Sequence, residues 1–444
     1  MTDLRTAFQE LVERDPVPAP PPDLWRRGRQ RQRRGRAAGA VGAFAAAVVA
    51  VLVLLSVDTS LVSPAPPVPA DVPSSRLHIP HRIYLPDPWM GDSQAPPGPL
   101  AVLGTADRGS WWGSRMGCFG VSAVDGSYHW VDLPRMARSV VPVLSPDGTR
   151  IGYGLRGAPS GTAYSHVVGF AIYDTVSGHL RTWRIPTRHG LQIDAYYQEG
   201  WTADSAWFAA SFGQWMTRNS SNYQRIVAFP SAGGPARTVQ DPGSLADSFG
   251  TAGSSSLTWI GGPNLKKVFV ADLGLGTRTS FRLARSGNGG PWFSPNGARF
   301  VLIAQGPAGP NATTNRLFVG GGGIRPDVPA STRLLTARLQ PSRVLGWLDD
   351  HSFLVDAYVA RGNGTYLVTV DADTGEFHRA VHVARSRFWL SPVQIASDLL
   401  HHRFVPGTPP PEGLDPRLPA GGAVAAVLLL AAFGAWFWRR SVGT

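Results

Sequence analysis

Hydrophobic and polar positions alternate through most of this chain in short runs broken by tight-turn signals. Two phrases carry the pattern most clearly, VPVLSPDGTRIGYG at 141–154 and GPWFSPNGARFVLIA at 290–304. In each, an apolar pair runs into Ser-Pro-Asp/Asn-Gly, and an alternating apolar run leaves it. Alternation with period two marks a half-buried strand. Pro presets φ for the turn, Asp or Asn tolerates the left-handed region, and Gly enters it without a Cβ penalty. Each phrase therefore predicts strand, turn and strand, with Pro146, Asp147, Gly148 and Pro295, Asn296, Gly297 as structural turn residues. Looser versions stand at GWTADSAWFAAS (200–211), TWIGGPNLKKVFV (258–270), GWLDDHSFLV (346–355) and FWLSPVQIA (388–396).

A second hairpin follows most of these phrases. It is plainest in FAIYDTVSGHLRTWRI (170–185) and YLVTVDADTGEFHRAV (366–381), where Asp371 and Gly375 are the turn residues. Further copies are FGVSAVDGSYHWVDL (119–133), RIVAFPSAGGPARTV (225–239), VFVADLGLGTRTSFRL (268–283) and a longer-looped stretch at 316–339. Two hairpins per unit make a four-stranded antiparallel sheet. Recurrence at roughly 40–57 residues points to an all-β propeller rather than a sandwich. The interval from Trp259 to Trp292 is short, so the fourth unit is expected to be truncated. Six outer hairpins are countable, and the unit begun at Phe388 lacks one. The β-rich stretch Ser75–Asp87 is otherwise unassigned. The expectation is a seven-bladed ring in which Ser75–Asp87 supplies outer strands to the unit begun at Phe388, with six blades as the alternative.

The phrases LSPDGTRIGYG and FSPNGARFVLIA, with the hairpins YDTVSGHLRTW and VDADTGEFHRA, resemble the blades of TolB-like and WD-repeat-like β-propellers. The resemblance covers roughly residues 75–405. It implies the fold and is nearly silent on function, because propellers host enzymes, scaffolds and sensors alike.

The chain ends add a different pattern. AAGAVGAFAAAVVAVLVLLSV, 37–57, is 21 residues without a charge, and Ala420–Trp438 is a second uncharged stretch of 19. About 20 apolar residues cross a bilayer core. Seven arginines within WRRGRQRQRRGR precede the first stretch, and Arg439 and Arg440 follow the aromatic end of the second. The positive-inside rule then places both termini in the cytoplasm. The expected organisation is a cytoplasmic head at 1–36, a transmembrane helix at 37–57 and a Pro-rich linker at 58–74. An extracytoplasmic propeller follows at 75–404, then a second linker at 405–419, a transmembrane helix at 420–438 and a tail at 439–444. With 40 arginines against two lysines, the chain resembles membrane-tethered propellers common in actinobacteria. The expected location is the bacterial cell membrane.

The formal charge of +12 is concentrated before the first span, while residues 58–418 hold 31 basic and 25 acidic side chains. No basic stripe with interleaved aromatics accompanies them, which excludes nucleic acid as a partner on sequence grounds. A single cysteine, Cys118, excludes a disulfide framework and reads as a buried, inert thiol. No G-x-S-x-G elbow occurs. DADTGE (371–376) has the carboxylate spacing of a calcium loop, and a plain hairpin turn explains it equally well. His78, His81, His401 and His402 fall near the expected ring closure without a third type of ligand. No catalytic residue, cofactor or metal site is assigned. In the head, Leu4, Phe8, Leu11 and Val12 form one helical stripe that suits a cytoplasmic partner or the membrane surface. The function expected is a binding or scaffold module for a protein, peptide or glycan outside the membrane, signalling through the head. The alternative is a lyase or hydrolase with its site in the central channel, for which Asp356, Arg150, Arg299 and His351 are the residues whose convergence would speak.

Overall fold

The computed structural model describes residues 23, 76–91, 95–137, 140–157, 167–186, 191–192, 199–217, 220–240, 249–261, 263–305, 315–321, 330–336, 339–358, 365–384, 393–413, 415 and 417–442. The turn chemistry read from the sequence builds six antiparallel sheets. The second blade is Val143–Leu144, Arg150–Arg156, Val167–Asp174 and Leu180–Arg184. The third is Glu199–Trp201, Trp207–Thr217, Ser220–Pro230 and Arg237–Gln240, and the fourth is Gly250–Thr251, Ser256–Gly261, Lys267–Asp272 and Thr277–Arg282. The fifth is Asn288–Phe293, Arg299–Gln305, Asn315–Gly321 and Thr332–Thr336. The sixth is Gln340–Trp347, Ser352–Tyr358, Thr365–Asp371 and Phe377–Val383. Leu191–Gln192 pairs with both the second and third blades and bridges their sheets.

The first blade takes its strands from both ends of the ring. Gln394–Ile395 is its innermost strand, antiparallel to Leu100–Ser110, followed by Gly113–Ser122 and Tyr128–Val131. The unit begun at Phe388 and the hairpin at 119–133 are therefore one blade. Six blades replace the seven expected, because the chain splits this blade across about 260 residues of sequence and each half reads as a unit of its own. Ser75–Asp87 has a different place from the expected one. Arg82–Ile83 runs parallel to Phe377–Val383 as a fifth strand on the outer edge of the sixth blade. Ile79–Pro80 pairs in parallel with Phe404–Val405, and both the ring nitrogen Nδ1 and the backbone N–H of His81 bond the Val405 carbonyl. The fourth blade is complete. Its strands run only two to six residues, which accounts for the short interval.

Side-chain pattern follows position in the blade. The second strands are buried on both faces by neighbouring blades, so they read as near-continuous apolar runs such as RFVLI in Arg299–Gln305. Outermost strands such as Thr277–Arg282 and Leu180–Arg184 are mostly exposed or half-buried and collect arginine. Core clusters lie between consecutive blades. Phe170, Phe208, Phe212, Phe229 and Trp201 pack between the second and third. Phe281, Phe293, Phe300 and Phe318 fill the space between the fourth and fifth. Cys118 is buried in the cluster of the first blade, and burial pushes its thiol far above the ordinary range.

Outside the propeller, Arg417–Val442 is a 26-residue helix whose Leu428, Leu429, Leu430 and Phe433 are exposed. Among the described residues, no helix counts as long and apolar enough to cross a membrane. The first expected span and the stripe Leu4, Phe8, Leu11 and Val12 lie outside the described residues.

A candidate ligand cavity in the central channel

The turn that enters the second strand of the second blade has a built-in geometry, and the fifth blade repeats it. In SPDG, the Asp147 side chain accepts hydrogen bonds from Ser145 Oγ and the Thr149 N–H, and Ser145 Oγ accepts from the Arg150 N–H. Ser294, Asn296, Ala298 and Arg299 repeat the same bonds in the fifth blade. Gly148 and Gly297 sit at φ +73° and +69°, and Gly375 of the outer hairpin at +76°. At Asp371, the carboxylate accepts the N–H groups of Asp373 and Thr374, which is an Asx turn closing a hairpin.

These turns also fasten blade to blade. The Asp147 N–H bonds Ser205 Oγ of the third blade at 3.1 Å, and the Asp204 N–H bonds the Ser254 carbonyl of the fourth at 2.9 Å. Thr258 Oγ1 donates to the Pro291 carbonyl of the fifth. The Asn296 N–H donates to Asp350 of the sixth at 2.9 Å, and Arg343 of the sixth donates to the Val393 carbonyl at 2.8 Å. The Asp398 N–H donates to the Pro146 carbonyl at 3.1 Å and joins first blade to second. Every junction in the ring thus carries a hydrogen bond.

Inside this ring the innermost strands of all six blades line a cavity of about 360 Å³. Its walls include Trp201, Phe249, Trp292, Phe293 and Trp347, with Asn288, Ser342, Gln394 and His401 among the polar members. Two of the indoles are locked by the neighbouring blade, Trp201 Nε1 to the Val143 carbonyl and Trp347 Nε1 to the Trp292 carbonyl, each at 3.0 Å. The volume suits a small ligand or one side chain of a larger one.

Three charged groups set the electrostatics of the cavity. Glu199, on the innermost strand of the third blade, is 6% exposed, and its Oε1 is fully enclosed with no hydrogen-bond partner among the described residues. Burial alone pushes its carboxyl well above the ordinary range. Asp398 is pushed up to about 6, first by burial and then by the like charge of Asp147, with His401 lowering it and Asp204 adding a lesser rise. Arg343 faces Asp356 across adjacent strands. Burial raises the Asp356 carboxyl, and the Arg343 charge opposes that rise only in part.

The four residues named from the sequence do not converge on the cavity. Arg150 holds Asp147 at 3.1 Å, while Arg299 and His351 both hold Asp373, at 2.7 and 2.9 Å. Asp356 stands opposite Arg343 on the adjacent strand and is not among the residues lining the cavity. Glu199 and Asp398 were missed. The trace of Glu199 in the sequence is a carboxylate in EGW, two residues before an aromatic and on the same face of a strand that should be apolar. Among the described residues, no group of three or more His, Cys, Asp or Glu is placed to hold a metal ion.

Fold and site define a six-bladed β-propeller with a ligand-sized cavity at its axis. No family model and no curated protein matches the sequence. Among solved structures, the chain is similar to a TolB from Agrobacterium tumefaciens, at 12% identity over 67% of this chain and 99% of that one, with a TM-score of 0.37. It is also similar to an oligogalacturonate lyase from Vibrio parahaemolyticus, at 9% identity over 71% and 80% of the two chains, with a TM-score of 0.42. A second oligogalacturonate lyase, in complex with manganese, matches at 11% identity over 65% and 75%, with a TM-score of 0.41. At these values the likenesses carry no argument about activity.

Proposed function

We propose that the chain is a membrane-tethered propeller that binds a protein, peptide or glycan ligand outside the cell through its central cavity. The carrying observation is the cavity itself, about 360 Å³, walled by aromatics and lined by the carboxyl-bearing residues Glu199 and Asp398. Tethering is supported by the uncharged stretches 37–57 and 420–438 and the arginines beside them. The second stretch lies within the helix Arg417–Val442, whose charges are confined to its two ends in the full sequence. The N-terminal head, with Leu4, Phe8, Leu11 and Val12 on one stripe, is the part available to a cytoplasmic partner. Protease added to intact spheroplasts should remove the propeller and spare an N-terminal tag; loss of the tag refutes this topology.

One observation favours the alternative, an enzyme. Glu199 and Asp398 are two cavity-lining carboxyls with raised pKa, the property a general acid needs near neutral pH. Incubating the full-length protein with candidate ligands separates the readings. Binding without product formation supports the module. Product formation that disappears in Glu199→Gln supports the enzyme.

A further inference from the structure

We propose that the hairpin tip Trp111–Trp112 of the first blade seats in the lipid headgroup layer of the membrane that holds the chain, docking the propeller on the bilayer. This goes beyond the cavity and rests on the membrane-tethered reading. Strands Leu100–Ser110 and Gly113–Ser122 pair out to Ser110 and Gly113, so the tip is a two-residue turn. The Ser110 hydroxyl closes it by donating to the Gly113 carbonyl at 3.0 Å. Trp111 is 51% exposed and Trp112 94%. Among the described residues of the propeller, the other large apolar side chains left exposed are Leu85, Leu275 and Leu334, none of them adjacent in sequence to another. The turn asks nothing of tryptophan. Gly113 supplies the positive φ, at +137°, and short polar residues serve tight turns best. Two neighbouring indoles held out in water on a paired hairpin mark a contact made outside the fold.

The path of the chain beside the tip identifies what covers it. The Gly109 N–H donates to the Pro88 carbonyl at 2.7 Å, and the Trp89 indole lies against Gly109, where a Cβ would strike its ring. After Phe404–Val405 the chain runs along this same segment. A Cβ on Gly407 would strike the Arg82 carbonyl, and one on Gly413 the Trp89 carbonyl. The chain therefore leaves the propeller at Trp89, the residue that braces the hairpin. Ala420, where the second uncharged stretch begins, is seven positions after Gly413, a reach of at most about 25 Å. Trp112 stands three positions beyond Gly109, about 10 Å along a strand. Tip and chain exit thus share one edge of the propeller. Indoles favour the membrane–water interface, where the ring meets apolar chains and the N–H stays wet. Arg115, exposed on the strand that leaves the tip, suits lipid phosphate. The tether makes this contact intramolecular, so an affinity too weak to recruit a free protein suffices.

The test uses full-length protein in vesicles of phosphatidylcholine and phosphatidylglycerol. An NBD fluorophore is placed on one introduced cysteine at a time, Trp112→Cys, Leu275→Cys or Leu429→Cys, while buried Cys118 stays unlabelled. Lipids spin-labelled at the headgroup should quench NBD at 112 and leave it bright at 275, an exposed position on the outer hairpin of the fourth blade. Lipids spin-labelled deep in the acyl chain should quench NBD at 429, which reports the tether. Trp111→Ser in the protein labelled at 112 should lessen quenching there, and near-UV circular dichroism reports whether each variant keeps the native fold. Quenching at 429 with none at 112 overturns the docking and leaves the tether standing. Quenching at 112 that Trp111→Ser does not change, or that 275 shares equally, also overturns it, because proximity alone then explains the signal. NBD emission at 112 that ignores the spin label and shifts with soluble cellohexaose makes the tip a glycan contact instead. If 429 is not quenched, the tethered reading falls and the docking with it.

Discussion

Gly148 and Gly297 occupy the same place in two copies of one phrase, and their backbones share a left-handed φ of +73° and +69°. Their surroundings differ. A Cβ on Gly297 would meet nothing within 4 Å, whereas one on Gly148 would be driven into the Leu100 carbonyl oxygen. The Gly148 carbonyl also accepts the Leu100 N–H at 2.8 Å, at the join between first and second blades. Gly297→Ala should therefore cost only the left-handed strain of an L-residue, about 1–2 kcal/mol. Gly148→Ala adds displacement of the Leu100 backbone. Breaking a buried backbone hydrogen bond and leaving its groups unsatisfied adds roughly 1–3 kcal/mol, for a total of about 2–5 kcal/mol. Urea denaturation of the full-length protein, followed by tryptophan fluorescence, measures both. Equal losses, or a larger loss at Gly297, would show that the junction does not hold Gly148 as described.

Ring closure predicts that deleting residues 385–444 exposes the edge of Leu100–Ser110 and gives aggregation in size-exclusion chromatography, whereas deleting residues 1–73 leaves a monodisperse propeller. Asp398 is held up at about 6 in the fold, against an ordinary value of 3.8. The folded state therefore keeps a proton that the unfolded chain releases, and stability falls as pH rises from near 4 to near 6. Asp398→Asn should be indistinguishable from wild type below pH 4 and more stable above pH 6; melting curves across that range that coincide would count against it. Cys118 should resist a thiol reagent at pH 8 in the native protein and react fully in urea, because burial disfavours its thiolate. Rapid labelling of the native protein would place the residue outside the core.

The propeller was legible because its signals are local. Asp147, Gly148, Asn296 and Gly297 encode their turns within four residues, and alternation encodes each flanking strand. Blade number was not legible, because it depends on a pairing between Gln394–Ile395 and Val102–Leu103 that no local signal announces. A two-residue strand has too few positions to show a period, and Leu100–Ser110 carries no Ser-Pro-Asp-Gly phrase because its partner turn lies at the far end of the sequence. The same limit hid the site. Glu199 acquires its meaning from enclosure by residues of several blades, and Asp398 from the charges of Asp147 and Asp204, which are 251 and 194 positions away in the chain. Residues such as Asp356 and His351 looked like channel candidates because they are charged groups beside apolar strands, yet His351 is held by Asp373 and Asp356 lies outside the cavity lining. A charged residue in a propeller strand therefore points to function when its cross-strand and neighbouring-blade positions hold no opposite charge. Glu199, paired across the strand with Ala210, meets that test and also lines the cavity.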